Sequence, residues 1–120
     1  MRIDRLVKAT VDALEEIKAR DIVVLDVRRV TAMFDRVIVA SGDSTRQNKA
    51  LARNVQEKIK ALGGAVFGVE GEHNGEWVLV DLGAVVVHLM QPAIRQHYDL
   101  EGLWGGEAQA PRRRTAGNAR

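Results

Sequence analysis

The residues of this 120-residue chain that could bind a metal or act as acids and bases are three histidines and sixteen carboxylates. His73, His88 and His97 show neither HExxH nor His-x3-His spacing, and without cysteines a zinc site would need carboxylates from distant segments. Asp26 and Asp81 each end a predicted strand, as magnesium-binding carboxylates of nucleotidyltransferases do, but no Asp-x-Asp or Asp-x-Glu pair accompanies them there. We therefore predict no metal, no cofactor and no catalytic residue.

The turn Gly42-Asp43-Ser44 lies between a predicted strand and a predicted helix, where phosphate-binding loops occur. It has a single glycine and no Gly-Lys-Ser/Thr sequence, and Asp43 places negative charge where a phosphate would sit. Arg46 also occupies the position at which a nucleophile elbow requires glycine. We interpret the turn as a helix cap, because Ser44 and Gln47 match the capping box.

A Gly-rich acidic stretch, residues 70–77, is followed by the short sequence Asp81-Leu82-Gly83. Trp77 and Leu82 are apolar anchors within acidic surroundings, a combination typical of protein–protein interfaces. The same two side chains could belong to the hydrophobic core. From the residues alone, the two interpretations are equally supported.

The apolar pattern predicts the elements that must position these residues. We expect helices at about residues 3–17, 44–62 and 92–98, and strands at 22–25, 37–40, 65–69, 77–82 and 85–90. The junction Asp81-Leu82-Gly83-Ala84 is short enough for an antiparallel hairpin, and Leu100, Leu103 and Trp104 are expected to pack on the body. The order α-β-β-α-β-β-β-α predicts a mixed-sheet α/β sandwich.

Length and composition predict one folded domain at residues 1–104 and a disordered basic tail at residues 105–120. The tail has four arginines and one glutamate, a net charge of +3. Residues 1–64 have 13 basic and 9 acidic residues, whereas residues 65–104 have one basic and six acidic residues, a net charge of −5. This acidic half would repel phosphate and attract a basic partner.

No stretch of the sequence approaches the eighteen apolar residues that a transmembrane helix needs. The N-terminal twenty residues carry charges throughout, and the chain has no cysteine, which fits a reducing compartment. We therefore expect a cytoplasmic protein that neither spans a membrane nor is exported.

A succession of short motifs resembles the ribosomal silencing factor (RsfS, or Iojap) family over about residues 3–104. The motifs are Asp21-Ile22-Val23-Val24-Leu25-Asp26-Val27, Asp35 with Val39-Ala40-Ser41-Gly42-Asp43-Ser44, Arg46-Gln47, Glu70-Gly71, Trp77-Val78-Leu79-Val80-Asp81-Leu82-Gly83, Val85-Val86-Val87-His88, and Arg95 with Tyr98-Asp99-Leu100-Glu101 and Leu103-Trp104. No single motif is decisive, but their order is highly specific.

The resemblance implies a mixed five-stranded sheet flanked by helices, similar in shape to nucleotidyltransferases but without their active site. It also implies a non-enzymatic function. Members of the family bind large-subunit ribosomal protein fourteen at the face that the small subunit would occupy, which blocks subunit association and represses translation. Because proteins of ribosomal surfaces are usually basic, the acidic half of this chain suits such a partner.

The resemblance also implies which residues bind the partner. The family's positions correspond here to Trp77, Asp81, Leu82, Gly83, His88 and Met90. Ala84 stands where the family has a second aspartate, and Phe34 replaces a common small polar residue. Two further expectations are a homodimer, since exposed anchors need cover in the free protein, and a contact of the Arg-rich tail with ribosomal RNA.

Two other classes of function stay open. A nucleotidyltransferase-like, nucleotide-binding enzyme would require metal or nucleotide binding that depends on Asp26 or Asp81. An RNA-binding module could use the basic N-terminal half and the tail, although the chain has only five aromatic residues to stack on bases.

Overall fold

Helices and strands occupy most of residues 1–104 and 107–108, the part of the chain that this computed structural model describes. The elements are α1 (Ile3–Glu16), β1 (Arg20–Asp26), β2 (Arg36–Ser41), α2 (Thr45–Ala61), β3 (Gly68–Glu70), β4 (Trp77–Asp81), β5 (Val85–Met90), α3 (Pro92–Tyr98), α4 (Leu100–Trp104) and β6 (Glu107–Ala108). The predicted order is confirmed as far as α3. Among the described helices, none has both the length and the apolar character needed to cross a membrane.

The strands form one mixed sheet in the order β3-β4-β5-β2-β1-β6. The central pair, β2 and β5, is parallel, and every other neighbouring pair is antiparallel. The predicted five-stranded mixed sheet flanked by helices is therefore confirmed, with the two-residue strand β6 added at the β1 edge.

Every residue of β2 and of β5 is buried, so both faces of the sheet centre need cover. On one face, α1 and α2 pack against the sheet through an apolar core that includes Leu14, Leu51 and Ile59. These residues recur at helical spacing, which places them on the inner side of each helix. We call this the large core.

On the opposite face, α3 and α4 cover a smaller group of apolar side chains. This small core contains Val23, Leu25, Val27, Val37, Val39, Met90 and Leu100, with Phe34, Trp77, Ile94 and Trp104 packed at its margin. Helices α3 and α4 have only seven and five residues. They lie over the end of the sheet that contains β1 and β2, and they leave the outer face of β4 partly open.

The cap of α2 agrees with the sequence prediction, with one difference. Ser44 is the N-cap, and its Oγ accepts a hydrogen bond from the Gln47 amide at 3.0 Å. The Gln47 side-chain oxygen accepts from the Asp43 amide at 2.7 Å rather than from the Ser44 amide. Its Nε2 donates to the Ile17 carbonyl at 3.0 Å, so the cap also ties α2 to the end of α1.

The predicted hairpin between β4 and β5 is confirmed. The Leu82 amide donates to the Val85 carbonyl at 2.9 Å, and the Asp81 carboxylate accepts from the Gly83 amide at 2.8 Å. Gly83 has a φ of +88°, a conformation that is open to glycine but strained for other residues.

Two predicted details differ at the edges of the fold. The third strand was expected at residues 65–69, but β3 is confined to Gly68–Glu70, where it pairs with β4. Leu100 and Trp104 pack on the small core as predicted, whereas Leu103 is exposed. Leu100 and Trp104 are four residues apart and lie on one side of α4, while Leu103, at the margin of that side, is 71% exposed.

Part of the predicted disordered tail has backbone pairing. Glu107 and Ala108 pair with Asp26 and Leu25 of β1, because an edge strand offers unpaired amides and carbonyls to any neighbouring segment. Residues 105, 106 and 109–120, which include all four tail arginines, lie outside the described residues.

A buried side chain of α2 positions the loop before β4. Asn48 is fully buried; its Oδ1 accepts from the Gly42 amide at 2.9 Å, and its Nδ2 donates to the Gly75 carbonyl at 2.8 Å. Both glycines are buried as well. Asn48 therefore joins the end of β2 to residues 71–76, the loop that leads into Trp77.

Asn48→Ala is expected to lower the free energy of unfolding by at least about 2 kcal/mol, because a buried amide and a buried carbonyl lose their partners. The matched control is Asn54→Ala on the same helix. Asn54 donates to the Ala13 carbonyl from a partly exposed position, where water can replace its amide. Asn54→Ala should therefore lower the free energy of unfolding by less than about 1 kcal/mol. Urea unfolding of the three proteins makes the comparison; equal losses would contradict the clamping role of Asn48.

Candidate protein-binding surface

The outer face of β4 is only partly covered by the helices. Along this strand, Val78 and Val80 are buried in the large core, whereas Trp77, Leu79 and Asp81 alternate with them and are half-buried. Alternate residues of a strand point to opposite faces. Trp77, Leu79 and Asp81 therefore form one continuous row on the open face, which we call the β4 row.

A hydrogen bond fixes the tryptophan of this row. The Trp77 indole N–H donates to Nδ1 of His88 on the adjacent strand β5 at 3.0 Å. Since Nδ1 accepts, the proton of the neutral imidazole is on Nε2. Burial lowers the pKa of His88 from 6.5 to about 4, so the imidazole is neutral near pH 7 and keeps this acceptor available.

An aromatic side chain from α3 extends the row. The centroid of the Tyr98 ring lies 5.0 Å from the centroid of the Trp77 ring, and the two ring planes are inclined by 49°. His97 makes an edge-on contact with Tyr98 at 4.9 Å. Tyr98 is exposed, so Trp77 and Tyr98 together present a rigid aromatic patch to solvent. Such groups supply large contact area with little loss of side-chain entropy.

Arg95 holds the helix that carries Tyr98. This largely buried arginine donates from Nη1 to the Ser41 Oγ of β2 at 3.1 Å. It also donates from Nε and Nη2 to one carboxylate oxygen of Glu101 at 3.2 and 2.9 Å. Charge-assisted hydrogen bonds of this kind are stronger than neutral ones, so α3, α4 and the sheet are joined directly beside the aromatic patch.

Acidic residues lie beside the β4 row and at its ends. Glu70 of β3 pairs directly with Leu79 and is exposed, as are Glu72 and Glu76 in the following loop. Asp81 ends the row itself. An apolar centre with a charged rim is the usual anatomy of a protein interface, and the sign of this rim favours a basic partner.

The predicted partner-binding residues are distributed unequally between the surface and the interior. Leu82 is 3% exposed and belongs to the large core, and Met90 is completely buried in the small core. His88 is also buried. Of the six predicted residues, Trp77, Asp81 and Gly83 keep accessible surface, whereas His88 accepts the hydrogen bond that holds the Trp77 indole.

Three accessible residues beside this surface were not identified by the sequence reasoning: Leu79, Phe67 and Tyr98. The strict alternation of Trp77-Val78-Leu79-Val80-Asp81 could have identified Leu79 as lying on the same face as Trp77. Phe67 and Tyr98 come from other elements, and their proximity to the β4–β5 hairpin depends on the tertiary fold.

The carboxylates considered for metal chemistry lie apart. Asp26 ends β1 and Asp81 ends β4, three strand positions away in the sheet, which corresponds to about 14 Å. Asp26 accepts from Arg28 and lies 3.5 Å from Arg36; mainly the Arg28 hydrogen bond lowers the pKa of Asp26 to about 2. Within residues 1–104 and 107–108, no three His, Cys, Asp or Glu side chains are grouped so that they could hold a metal ion.

The fold and this surface define a small α/β protein whose candidate site is an open sheet face suited to bind another macromolecule. Residues 1–119 match the family model described as "Ribosomal silencing factor during starvation", and the chain belongs to this RsfS family.

Relatives and a solved structure support the assignment. The chain is 54% identical over 107 residues to the ribosomal silencing factor RsfS of Chromobacterium violaceum, covering 89% of this chain and 88% of the relative. It is 40% identical over 99 residues to that of Haemophilus influenzae, covering 82% and 97%. A crystal structure of a Chromobacterium violaceum protein is similar with a TM-score of 0.86 and 50% identity, over 98% of both chains.

The buried state of His88 predicts how stability depends on pH. The unfolded chain takes up a proton on this histidine near pH 6.5, but the folded protein does so only near pH 4. The contribution of His88 to the free energy of unfolding is therefore complete above pH 6.5. As the pH falls from 6.5 to about 4, this contribution is lost, by up to about 3 kcal/mol.

The measurement is urea unfolding across this pH range for the wild type and for His88→Gln, which keeps a neutral acceptor for Trp77. Carboxylates titrate in both proteins, so the difference between the two curves isolates His88. Parallel curves would show that His88 is not buried in the neutral form.

Proposed function

We propose that this protein binds the large ribosomal subunit through ribosomal protein fourteen and thereby prevents the small subunit from joining. The observation that carries the proposal is the β4 row: a half-buried tryptophan, leucine and aspartate on the uncovered face of the sheet, beside an exposed tyrosine. The family assignment supports the ribosome as the target. Subunit joining takes place in the cytoplasm, where we also place the protein.

The mechanism requires occupancy of a shared surface and no reactive group. Trp77 and Tyr98 supply apolar contact area, while Glu70, Glu72 and Glu76 supply negative charge around it. Positive residues on a ribosomal protein would be attracted to this rim, which accelerates association and disfavours bare RNA as a ligand.

The alanine that replaces the family's second hairpin aspartate affects charge more than geometry. The Ala84 carbonyl accepts from the Asp35 and Arg36 amides at 2.8 and 3.2 Å, and these backbone bonds do not depend on the side chain. Asp81 is then the only carboxylate of the hairpin tip, residues 81–84. We propose that the hairpin backbone is retained and that the missing carboxylate changes the affinity for a basic partner or the register in which it binds.

Added in excess to purified large subunits, the protein should lower the yield of joined ribosomes and sediment with the large-subunit peak. The reason is that the protein and the small subunit compete for one surface of the large subunit. Sucrose-gradient sedimentation with and without small subunits measures both effects. We also propose that two copies of the free protein pair, and sedimentation of the free protein measures whether they do. Migration with the small subunit alone would contradict the proposed function.

Charge reversal on the rim tests the proposed surface. Glu70→Lys should weaken binding to large subunits by about tenfold, mainly through slower association, because it places a cation opposite a basic partner. Glu57→Lys makes the same change on an exposed position of α2 and should leave binding within about twofold. Association rates are measured by surface plasmon resonance on immobilised large subunits. Equal effects of the two variants would show that the net charge of the protein, rather than the charge beside the β4 row, determines binding.

A further inference from the structure

Phe67 is an exposed aromatic side chain beside the hairpin tip. It precedes β3, and its amide donates to the Asp81 carbonyl at 2.8 Å. The side chain is 69% exposed, and it belongs neither to the large core nor to the small core of the described residues. Most of its apolar surface is therefore available to another molecule.

The hairpin holds this ring in a defined place. A Cβ atom on Gly83 would lie 2.8 Å from Cε2 of Phe67, so the ring rests directly on the glycine. Gly83 has a positive φ, and its amide is bonded to the Asp81 carboxylate. The glycine thus serves two purposes: it forms the turn, and it leaves space for the ring at the tip.

We propose that Phe67 is a second aromatic anchor of the surface formed by the β4 row, and that it receives a lysine or arginine side chain of the basic protein partner. This inference rests on the proposed function and extends it to a residue outside the row. A cation over an aromatic face is favourable, and a guanidinium or ammonium group at Phe67 would also lie close to Asp81.

The dimensions allow one partner to contact both anchors. Trp77 and Asp81 are the two ends of β4, and four steps along an antiparallel strand span about 14 Å. Phe67 is bonded to the Asp81 end. A standard interface buries about 800 Å² on each partner, a patch roughly 30 Å across, so Trp77 and Phe67 fit beneath a single docked protein.

Charge favours a protein over nucleic acid as the occupant. The exposed residues Glu70, Glu72 and Glu76 lie in the segment between Phe67 and Trp77, and they would repel the phosphates of an RNA strand whose bases stacked on Phe67. The same carboxylates attract a lysine- or arginine-rich protein surface.

The test compares the full-length protein with Phe67→Ala and Phe67→Leu in binding to purified large subunits and to naked ribosomal RNA. Phe67→Ala should weaken large-subunit binding by at least about tenfold with an unchanged urea midpoint. Phe67→Leu, which keeps apolar area but has no aromatic face, should restore only part of the affinity. Met33→Ala is the control, because Met33 is 81% exposed on the loop between β1 and β2.

Each alternative result has a definite meaning. If Glu70→Lys weakens binding and Phe67→Ala does not, the inference on Phe67 is overturned while the proposed function stands. If neither variant weakens binding, the proposed surface fails together with the inference. If Phe67→Ala weakens binding to naked RNA and leaves large-subunit binding unchanged, the ring binds bases and the protein-anchor assignment is overturned.

Discussion

The parallel pairing of β2 with β5 is the constraint on which the rest of this structure depends. Both strands are buried along their whole length, so each face of the sheet centre has to be covered by helices. A parallel pair also requires a crossover, and the chain uses it to place α2 on one face and to form β3 and β4 before β5. The large core, the small core and the hairpin all follow from this requirement.

The candidate binding surface exists because the helices cover the two faces of the sheet to different extents. Helices α1 and α2 are long enough to close one face, whereas α3 and α4 together supply twelve residues on the other. The second face therefore stays open over β4, where Trp77 and Leu79 are half-buried. Two buried polar side chains then fix the borders of the opening: Asn48 holds the loop before Trp77, and Arg95 holds the helix that carries Tyr98.

The sequence was most informative where a local rule decides the structure. The continuous apolar runs of β2 and β5 and the Ser44 cap depend on neighbouring residues alone, and their prediction is confirmed. The alternation along β4 places Leu82 on the face opposite Trp77, so the pattern could have excluded it from the surface. Met90 pairs with Trp77 on the same face, and whether it is covered depends on where distant helices pack, so Met90 could not be excluded by pattern. The ring of Phe67 on Gly83 and the pairing of Glu107 with β1 join segments far apart in the chain.

Contact side chains that are held in place before binding can supply affinity without any reactive group. Binding costs less when the contact side chains are already fixed, and here the indole of Trp77 is held by His88 on one side and by the Tyr98 ring on the other. The histidine can serve as the acceptor only while it is neutral, and its burial ensures this near pH 7. Residues 65–104 have a net charge of −5 and residues 1–64 a net charge of +4, and a charge asymmetry of this kind can orient a protein as it approaches a charged partner. In the proposed function, Trp77 and Tyr98 supply affinity and the acidic residues beside them supply the direction of encounter. The aromatic side chains are accessible because the short C-terminal helices leave the outer face of β4 partly uncovered.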